Sequence, residues 1–196
     1  MSRLDELIKE LCPNGVEYKE LKDLCIISRG KVISKDYIRD NPGDFPVYSS
    51  QTENEGNLGN ISTYDYDGEY LTWTTDGANA GTVFYRSGKF SITNVCGLIK
   101  IQNNLELNYK FLFYWLSIEA KNHVYSGMGH PKLMSNQMEK IQIPIPPIEE
   151  QERIAGILDK FDTLVNSISE GLPREIELRR KQYEYYREKL LSFPKN

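Results

Sequence analysis

The most regular pattern of hydrophobic and polar positions lies near the C-terminal end of the chain. From Ile154 onward, apolar residues recur at steps of three or four, which is typical of a coiled-coil seam, with one additional four-residue step near Leu172. A helix over 149–192 would be about 65 Å long, too long for a small domain to cover. The pattern therefore predicts a long C-terminal helix that pairs with a partner helix through the seam residues Ile154, Leu158, Phe161, Val165, Ile168, Leu172, Ile176, Tyr183, Tyr186 and Leu190.

Two other structures fit the same segment. The helix could fold back on its own domain, or Gly171 and Pro173 could divide it into a helical hairpin, with the glycine as a C-terminal cap and the proline in a first turn. We favour a kinked continuous helix, because the seam resumes in phase after the additional step. Three closely spaced prolines, Pro144, Pro146 and Pro147, precede it and predict a domain boundary after residue 147.

Residues 1–147 show short apolar and aromatic stretches separated by turn pairs. The turn pairs are Asp67-Gly68, Asp76-Gly77 and Ser87-Gly88. Short strands with this punctuation predict a compact, strongly curved and mostly antiparallel sheet. The predicted strands are Val16–Leu21, Phe45–Tyr48, Ile61–Tyr64, Tyr70–Thr74, Gly81–Tyr85, Phe90–Ile92, Gly97–Gln102 and Ile141–Ile145.

Helical patterns are fewer in this region. Residues 4–11 have amphipathic spacing, Asn108–Glu119 predicts a helix capped by Asn108, and a short helix is expected from about Ser135. The predicted fold class is therefore α+β. A curved-sheet domain over residues 1–147 is followed by a helical arm over residues 148–196.

Composition places the chain among ordinary globular proteins of the cytoplasm. No apolar run reaches the ~18 residues that a membrane span needs, and no secretory leader precedes the first helix. Cys12, Cys25 and Cys96 have no metal-ligand spacing, so we expect reduced, mostly buried thiols and no metal site. The net charge of −4 argues against a protein that binds nucleic acid through bulk positive charge, but allows basic residues concentrated on one face.

Motifs that would indicate an enzyme are missing. The sequence has no phosphate-binding P-loop, no glycine-rich βαβ turn, and no Asn/Asp-Pro-Pro-aromatic tetrapeptide of the kind that amino-methylating enzymes use. Glu17-Tyr18-Lys19 resembles a nuclease motif without its aspartate, and the carboxylates of Asp65, Asp67 and Glu69 fit a solvated turn. We therefore expect no catalytic residues and no cofactor bound by this chain.

The polar loops instead carry side chains suited to DNA. Amide side chains can pair with adenine edges, and basic side chains with guanine or phosphate, although each position also fits an ordinary solvated loop. Two loops, Ser49–Asn60 and Ser126–Lys132, are the longest of these polar segments. The candidate DNA-contacting residues are Arg29, Lys31, Ser50, Gln51, Thr52, Asn54, Thr75, Asn79, Arg86, Lys89, Lys121, Tyr125, His130 and Lys132.

Three segments resemble the specificity (S) subunits of type I restriction–modification systems. The runs EEQERIAGILDKFD and EIELRRKQYEYYR are similar to the helical region of that family, and YLTWTTDGANAGTVFYRSGKFSITNVCGLI is similar to its target-recognition domain. The resemblance covers nearly the whole chain.

The resemblance implies a non-catalytic subunit that recognises double-stranded DNA. S subunits carry two target-recognition domains, each reading one half of a bipartite site, and two antiparallel helices that set the gap between the halves. They recruit methyltransferase (M) subunits, which bind S-adenosylmethionine and methylate adenine N6. They also recruit restriction (R) subunits, which use ATP and Mg²⁺.

This chain has one recognition domain and one helix, so it resembles half of an S subunit. A homodimer with antiparallel C-terminal helices would rebuild the whole and would recognise an interrupted palindrome. The alternatives are a truncated or silent cassette, a fragment of a longer protein, or a coiled-coil regulator that competes for M subunits without reading DNA.

Overall fold

The computed structural model of the chain describes residues 15–125, 129–163 and 181–182. The chain divides into two compact units, Met1–Ala155 and Gly156–Asn196. The domain boundary predicted after residue 147 stays a prediction. The helix expected over residues 4–11 lies outside the described residues. Residues 126–128 of the predicted loop Ser126–Lys132 also lie outside them.

The first unit is a mixed α/β fold in which strands predominate. The helices are α1 (Leu21–Leu24), α2 (Lys35–Asp40), α3 (Tyr109–Asn122) and α4 (Ser135–Met138), and a 3-10 turn spans Glu53–Gly56. The strands are β1 (Glu17–Glu20), β2 (Cys25–Arg29), β3 (Pro42–Tyr48), β4 (Asn57–Ile61), β5 (Tyr66–Thr74), β6 (Val83–Ile92), β7 (Cys96–Ile101) and β8 (Gln142–Ile145).

Six of these strands form the main sheet, in the order β2-β7-β5-β6-β3-β4. All neighbours are antiparallel except β3 and β6, which run parallel. The strands β1 and β8 form a separate antiparallel pair. The prediction of a curved, mostly antiparallel sheet is confirmed.

The strand register shows why the sheet must curve. Tyr66 pairs with Phe90 at one end of β5, and Thr74 pairs with Cys96 at the other. A straight β5 would separate these ends by about 27 Å, and β6 and β7 lie on opposite sides of it, about 10 Å apart. The chain from Phe90 to Cys96 reaches at most about 21 Å. Strand β5 must therefore bend. This bend brings both ends of the hairpin that β5 forms with β6 toward the turn at residues 93–95.

A pair of glycines marks one place where the hairpin departs from a flat strand pair. Gly68 on β5 lies opposite Gly88 on β6, and both have positive φ, 124° for Gly68 and 91° for Gly88. The sequence predicted turns at Asp67-Gly68 and Ser87-Gly88, with separate strands on either side. That prediction was wrong, because glycine lets a strand bend without ending. Similarly, β4 begins at Asn57, inside the predicted loop Ser49–Asn60, and ends at Ile61, where the predicted strand Ile61–Tyr64 was expected to begin.

The main core lies between the sheet and α3. Trp73 is fully buried, and its indole Nε1 donates a hydrogen bond of 2.9 Å to the Leu133 carbonyl. Leu112 and Leu116 of α3 are also fully buried in this cluster. The predicted cap is confirmed, since the Asn108 side chain accepts hydrogen bonds from the backbone N–H groups of residues 110 and 111.

The two described cysteines are free and buried, in agreement with the sequence prediction. Burial raises the pKa of the Cys25 thiol, and that of the Cys96 thiol, to about 12. Both therefore stay protonated and unreactive near neutral pH. Within residues 15–125, 129–163 and 181–182, no helix is long and apolar enough to span a membrane.

A further helix, α5, is described over residues 148–163. Its start is held by the buried side chain of Gln151, which accepts from the Asn108 backbone N–H and donates to the carbonyls of Glu106 and Pro146. Ile154 packs against the core of the first unit. This side chain is partly buried there, and its assignment to the partner seam stays a prediction.

The other described seam positions are Leu158, which is half-buried, and Phe161, which is 59% exposed. The seam residues Val165, Ile168, Leu172, Ile176, Tyr183, Tyr186 and Leu190 lie outside the described residues, as does the proposed kink at Gly171-Pro173. The coiled coil stays a prediction.

Candidate functional site

Loops from separate parts of the sequence meet in one place, which we call the loop cluster. It consists of residues 49–56, 75–82, 93–95 and 129–133. The Asn79 amide donates 2.9 Å to the Thr52 hydroxyl, and the Thr93 hydroxyl donates 2.9 Å to that of Ser49. The backbone N–H of Leu133 donates to the Thr75 carbonyl. These hydrogen bonds join all four segments into one polar surface.

Arg29 connects the end of β2 to this cluster. Its guanidinium donates twice to the Asn94 carbonyl, at 3.1 and 2.7 Å, and once to the Thr75 hydroxyl at 3.1 Å. The Thr75 hydroxyl itself donates to the Val95 carbonyl. Arg29 therefore fixes the relative position of two loops, and its half-buried edge borders the exposed surface.

Segment 49–56 has an unusual backbone. Asn54 and Glu55 adopt left-handed conformations, with φ of 48° and 54°, and Gly56 also has positive φ. The Ser49 N–H donates to the Gly56 carbonyl and closes the segment. The side-chain amide of Gln51 donates 2.6 Å to the Asn57 carbonyl. The segment is thus a closed, ordered loop that presents the exposed side chain of Asn54.

The last segment of the cluster is paired through its backbone. Tyr125 and Lys132 exchange backbone hydrogen bonds of 2.8 and 3.0 Å, and Lys132 also bridges to Asp76. The side chains of Tyr125, His130 and Lys132 are exposed. This arrangement fixes the backbone of a basic and aromatic strip beside the 75–82 turn.

A groove of about 380 Å³ lies between the 75–82 turn and the end of α3. Its walls combine small apolar side chains with polar groups, among them those of Asn79 and Lys121. The lining residues are Ala78, Asn79, Ala80, Thr82, Lys121, Val124 and Pro131. The groove places Lys121, on a helix, next to side chains that come from two loops.

Two predicted DNA-contacting lysines have other partners. The Lys31 ammonium pairs with Asp65 at 2.6 Å, although its backbone bridges to Thr93 of the cluster. The Lys89 ammonium lies 4.7 Å from the Tyr64 ring centroid and 5.9 Å from that of Phe45. The structure therefore places Lys31 at the border of the cluster and gives Lys89 a separate aromatic setting.

Two further assignments are corrected because the side chains are buried. Thr75 is fully buried, and Arg86 is 4% exposed. Burial disfavours the charged guanidinium and lowers the pKa of Arg86. Neither side chain is available to touch DNA from this position. Sequence reasoning also missed Asn94, whose carbonyl accepts from Arg29. The only signal for it was its place in the turn between two predicted strands.

The loop cluster has the chemistry of a DNA-contacting surface. The exposed amides of Asn54 and Asn79 can pair with base edges, and the exposed ammonium of Lys132 can pair with a phosphate. Among the described residues, no group of three or more His, Cys, Asp or Glu side chains could hold a metal ion. Asp65 pairs with Lys31, and Glu69 accepts a hydrogen bond from the Tyr85 hydroxyl.

A family profile described as "Type I restriction modification DNA specificity domain" matches residues 13–178. The chain belongs to this family. The predicted resemblance is thereby confirmed. The match covers every segment of the loop cluster, so a coiled-coil regulator that lacks a recognition domain is not favoured.

Relatives of this specificity-domain chain occur in Mycoplasma pneumoniae. It is 49% identical to the "Type I restriction enzyme MpnII specificity subunit", over 89% of this chain and 52% of that one. It is 46% identical to the "Putative type I specificity subunit S.MpnORF285P", over 90% of this chain and 58% of that one. The chain thus spans little more than half the length of these relatives.

A solved structure has the same fold as this specificity domain. The S subunit of the type I restriction–modification system from M. genitalium superposes with a TM-score of 0.65 at 20% identity, over 90% of this chain and 46% of that one. The two structures share the mixed α/β architecture with its curved, antiparallel-rich sheet.

Proposed function

We propose that this chain is the DNA-recognition component of a type I restriction–modification system and reads one half of a bipartite site. The observation that supports this most is the loop cluster, which gathers polar loops from distant parts of the sequence onto one curved sheet. Family membership supports the same function.

Within this proposal the accessible residues of the cluster and of the surface beside it divide into two roles. Lys121, His130 and Lys132 contact phosphates and set the register on the duplex. Gln51, Asn54 and Asn79 offer amides to base edges. Ser50, Thr52 and Tyr125 complete the surface, and Arg29 holds segments 75–82 and 93–95 together through its bonds to Thr75 and Asn94.

Catalysis then belongs to the partners. An M subunit with S-adenosylmethionine would methylate adenine N6, and an R subunit with ATP and Mg²⁺ would act on the DNA. This division fits a sequence without nucleotide-binding or methyl-transfer motifs. The chain contributes the choice of sequence and the position of the M subunit.

A homodimer would complete the bipartite recognition. The exposed apolar side chains of Ile157 and Phe161 on α5 support a partner helix, since they are 39% and 59% exposed. Antiparallel pairing of two such helices would bring two recognition domains into one two-fold assembly. The DNA site would then be an interrupted palindrome.

Replacing Lys132 with alanine tests the role of the loop cluster. If its ammonium neutralises one phosphate, the slope of log K against log salt should become less steep by about 0.9. The measurement is fluorescence anisotropy with a DNA duplex, on the chain bound to an M subunit, over a salt series. The control is Lys100→Ala, because Lys100 is exposed near the end of β7 that lies away from the cluster. Equal slopes for the two variants would contradict the assignment.

The assembly itself is tested by light scattering of the full chain with and without purified M subunit. A dimer that takes up M subunits supports the proposal as stated. A monomer that binds M subunit supports recognition of one half-site and rejects the homodimer. A chain that binds no M subunit in the presence of DNA contradicts the proposed function.

A further inference from the structure

Arg86 lies beneath segment 49–56, on the protein side of the loop. Its guanidinium carbon stacks 3.6 Å from the centroid of the Tyr48 ring and 4.5 Å from that of Phe84. The side chain is 4% exposed. It comes from β6, a central strand of the sheet, so the loop rests on a cation that the rigid part of the fold holds in place.

The polar contacts of Arg86 are directed at the backbone of that loop. Its Nε donates 3.2 Å to the Thr72 hydroxyl on β5, and its Nη2 donates to the backbone carbonyl of Glu55. The Glu55 carboxylate lies 3.9 Å away but is 85% exposed, so solvent screens that ion pair. The guanidinium therefore connects the sheet to one peptide group of the loop.

That peptide group belongs to the strained part of segment 49–56. Asn54 and Glu55 both adopt left-handed conformations, which side chains other than glycine adopt rarely. The surrounding structure must supply a contact that favours this arrangement. The hydrogen bond from Arg86 to the Glu55 carbonyl is such a contact, because rotation of this peptide would remove the acceptor.

Stability alone does not account for a buried arginine at this position. Taking a charge out of water is unfavourable, and an apolar side chain of similar size commonly stabilises a core as well or better. A planar, forked donor can instead bind Thr72 and Glu55 together while stacking on Tyr48, a geometry that lysine cannot copy.

We propose that Arg86 is a specificity-determining positioning residue, which contacts no DNA but fixes the conformation in which segment 49–56 presents Gln51 and Asn54 to base edges. This inference rests on the proposed function. It implies that loss of Arg86 weakens discrimination between DNA sequences and leaves phosphate binding intact. A merely structural role would instead reduce stability without changing which sequence is preferred.

The test is selection from a randomised DNA duplex library by the full chain bound to an M subunit. The variant is Arg86→Met, which keeps an unbranched side chain near Tyr48 and Phe84 but removes the hydrogen bonds to Thr72 and Glu55. We expect the preference for the selected sequence over random DNA to fall about ten-fold or more, since a misplaced loop loses at least one base contact. The salt dependence of binding should stay at the wild-type slope.

The matched control is Glu55→Gln, which removes the carboxylate and leaves the backbone carbonyl that Arg86 binds. It should select the same motif as the wild type. If Arg86→Met does not fold, judged by thermal unfolding, Thr72→Val carries the test, because it removes one acceptor from the same guanidinium and preserves side-chain shape. An unchanged motif in the folded variant would overturn the role of Arg86.

Failure of the proposed function would look different. In that case the wild-type complex itself would select no motif. If Arg86→Met or Thr72→Val still selects the wild-type motif, only the positioning role of Arg86 is rejected. If Glu55→Gln also loses the motif, the positioning role belongs to the Glu55 carboxylate and not to Arg86.

Discussion

Replacing Gly97 with alanine is expected to destabilise the recognition domain by about 3 kcal/mol. Gly97 lies on β7 directly opposite Trp73 of β5. A Cβ atom at Gly97 would lie 2.2 Å from carbons of the Trp73 ring, so the indole would have to move. Because Trp73 is fully buried, its displacement disturbs the core and breaks its hydrogen bond to Leu133. Urea unfolding followed by circular dichroism measures the loss.

Gly156→Ala is the matched control for this substitution. Gly156 lies in α5, and a Cβ atom at this position would have no neighbour within 4 Å. Alanine favours a helix over glycine by about 1 kcal/mol, so this variant should be neutral or slightly more stable. Equal stability of the two variants would show that Trp73 does not occupy the space against Gly97. Loss of the Leu133 hydrogen bond should also loosen residues 129–133 of the loop cluster.

Replacing Phe161 with aspartate is expected to convert the proposed dimer into a monomer. In a paired helix the Phe161 ring would lie in an apolar seam, where a carboxylate would be buried without a partner at a cost of several kcal/mol. The side chain is 59% exposed in the single chain, so the substitution leaves the fold of that chain intact. Light scattering should therefore report half the wild-type mass.

Thr163→Asp introduces the same charge at an exposed position of α5 outside the predicted seam. It should keep the wild-type mass. A dimer that survives Phe161→Asp would reject this side chain as part of the contact. The homodimer itself would be rejected by a wild-type chain that is monomeric at every concentration tested.

Local sequence signals predicted the elements whose shape depends on near neighbours. Asn108 predicted the start of α3 because an amide at that position accepts from the first free N–H groups of a helix. The short helix expected from about Ser135 is confirmed at Ser135–Met138. The bent β5–β6 hairpin was not predictable in this way. Gly68 and Gly88 look like turn residues in isolation, and only their pairing across the sheet makes them part of continuous strands.

The sequence predicted which loops carry the candidate site, but it did not predict how these loops lie relative to one another. Amide and basic side chains in polar segments correctly predicted that residues 49–56 and 75–82 would carry exposed polar groups. Residue chemistry alone could not separate Arg86, which is buried, from Lys132, which is exposed. That difference arises from the register of β6 against its neighbours, which sets the face of the sheet toward which each side chain points.

Under the proposed function, this chain selects the DNA sequence on which its partners act. The most direct measurement is a genome-wide map of N6-methyladenine in a host that lacks its own methylation, with this chain and an M subunit expressed together. We expect methylation at one interrupted motif, which disappears when the chain is omitted and changes when segments 49–56 and 75–82 are exchanged for those of a relative. Methylation at the same motif without the chain, or an unchanged motif after the exchange, would contradict the proposed function.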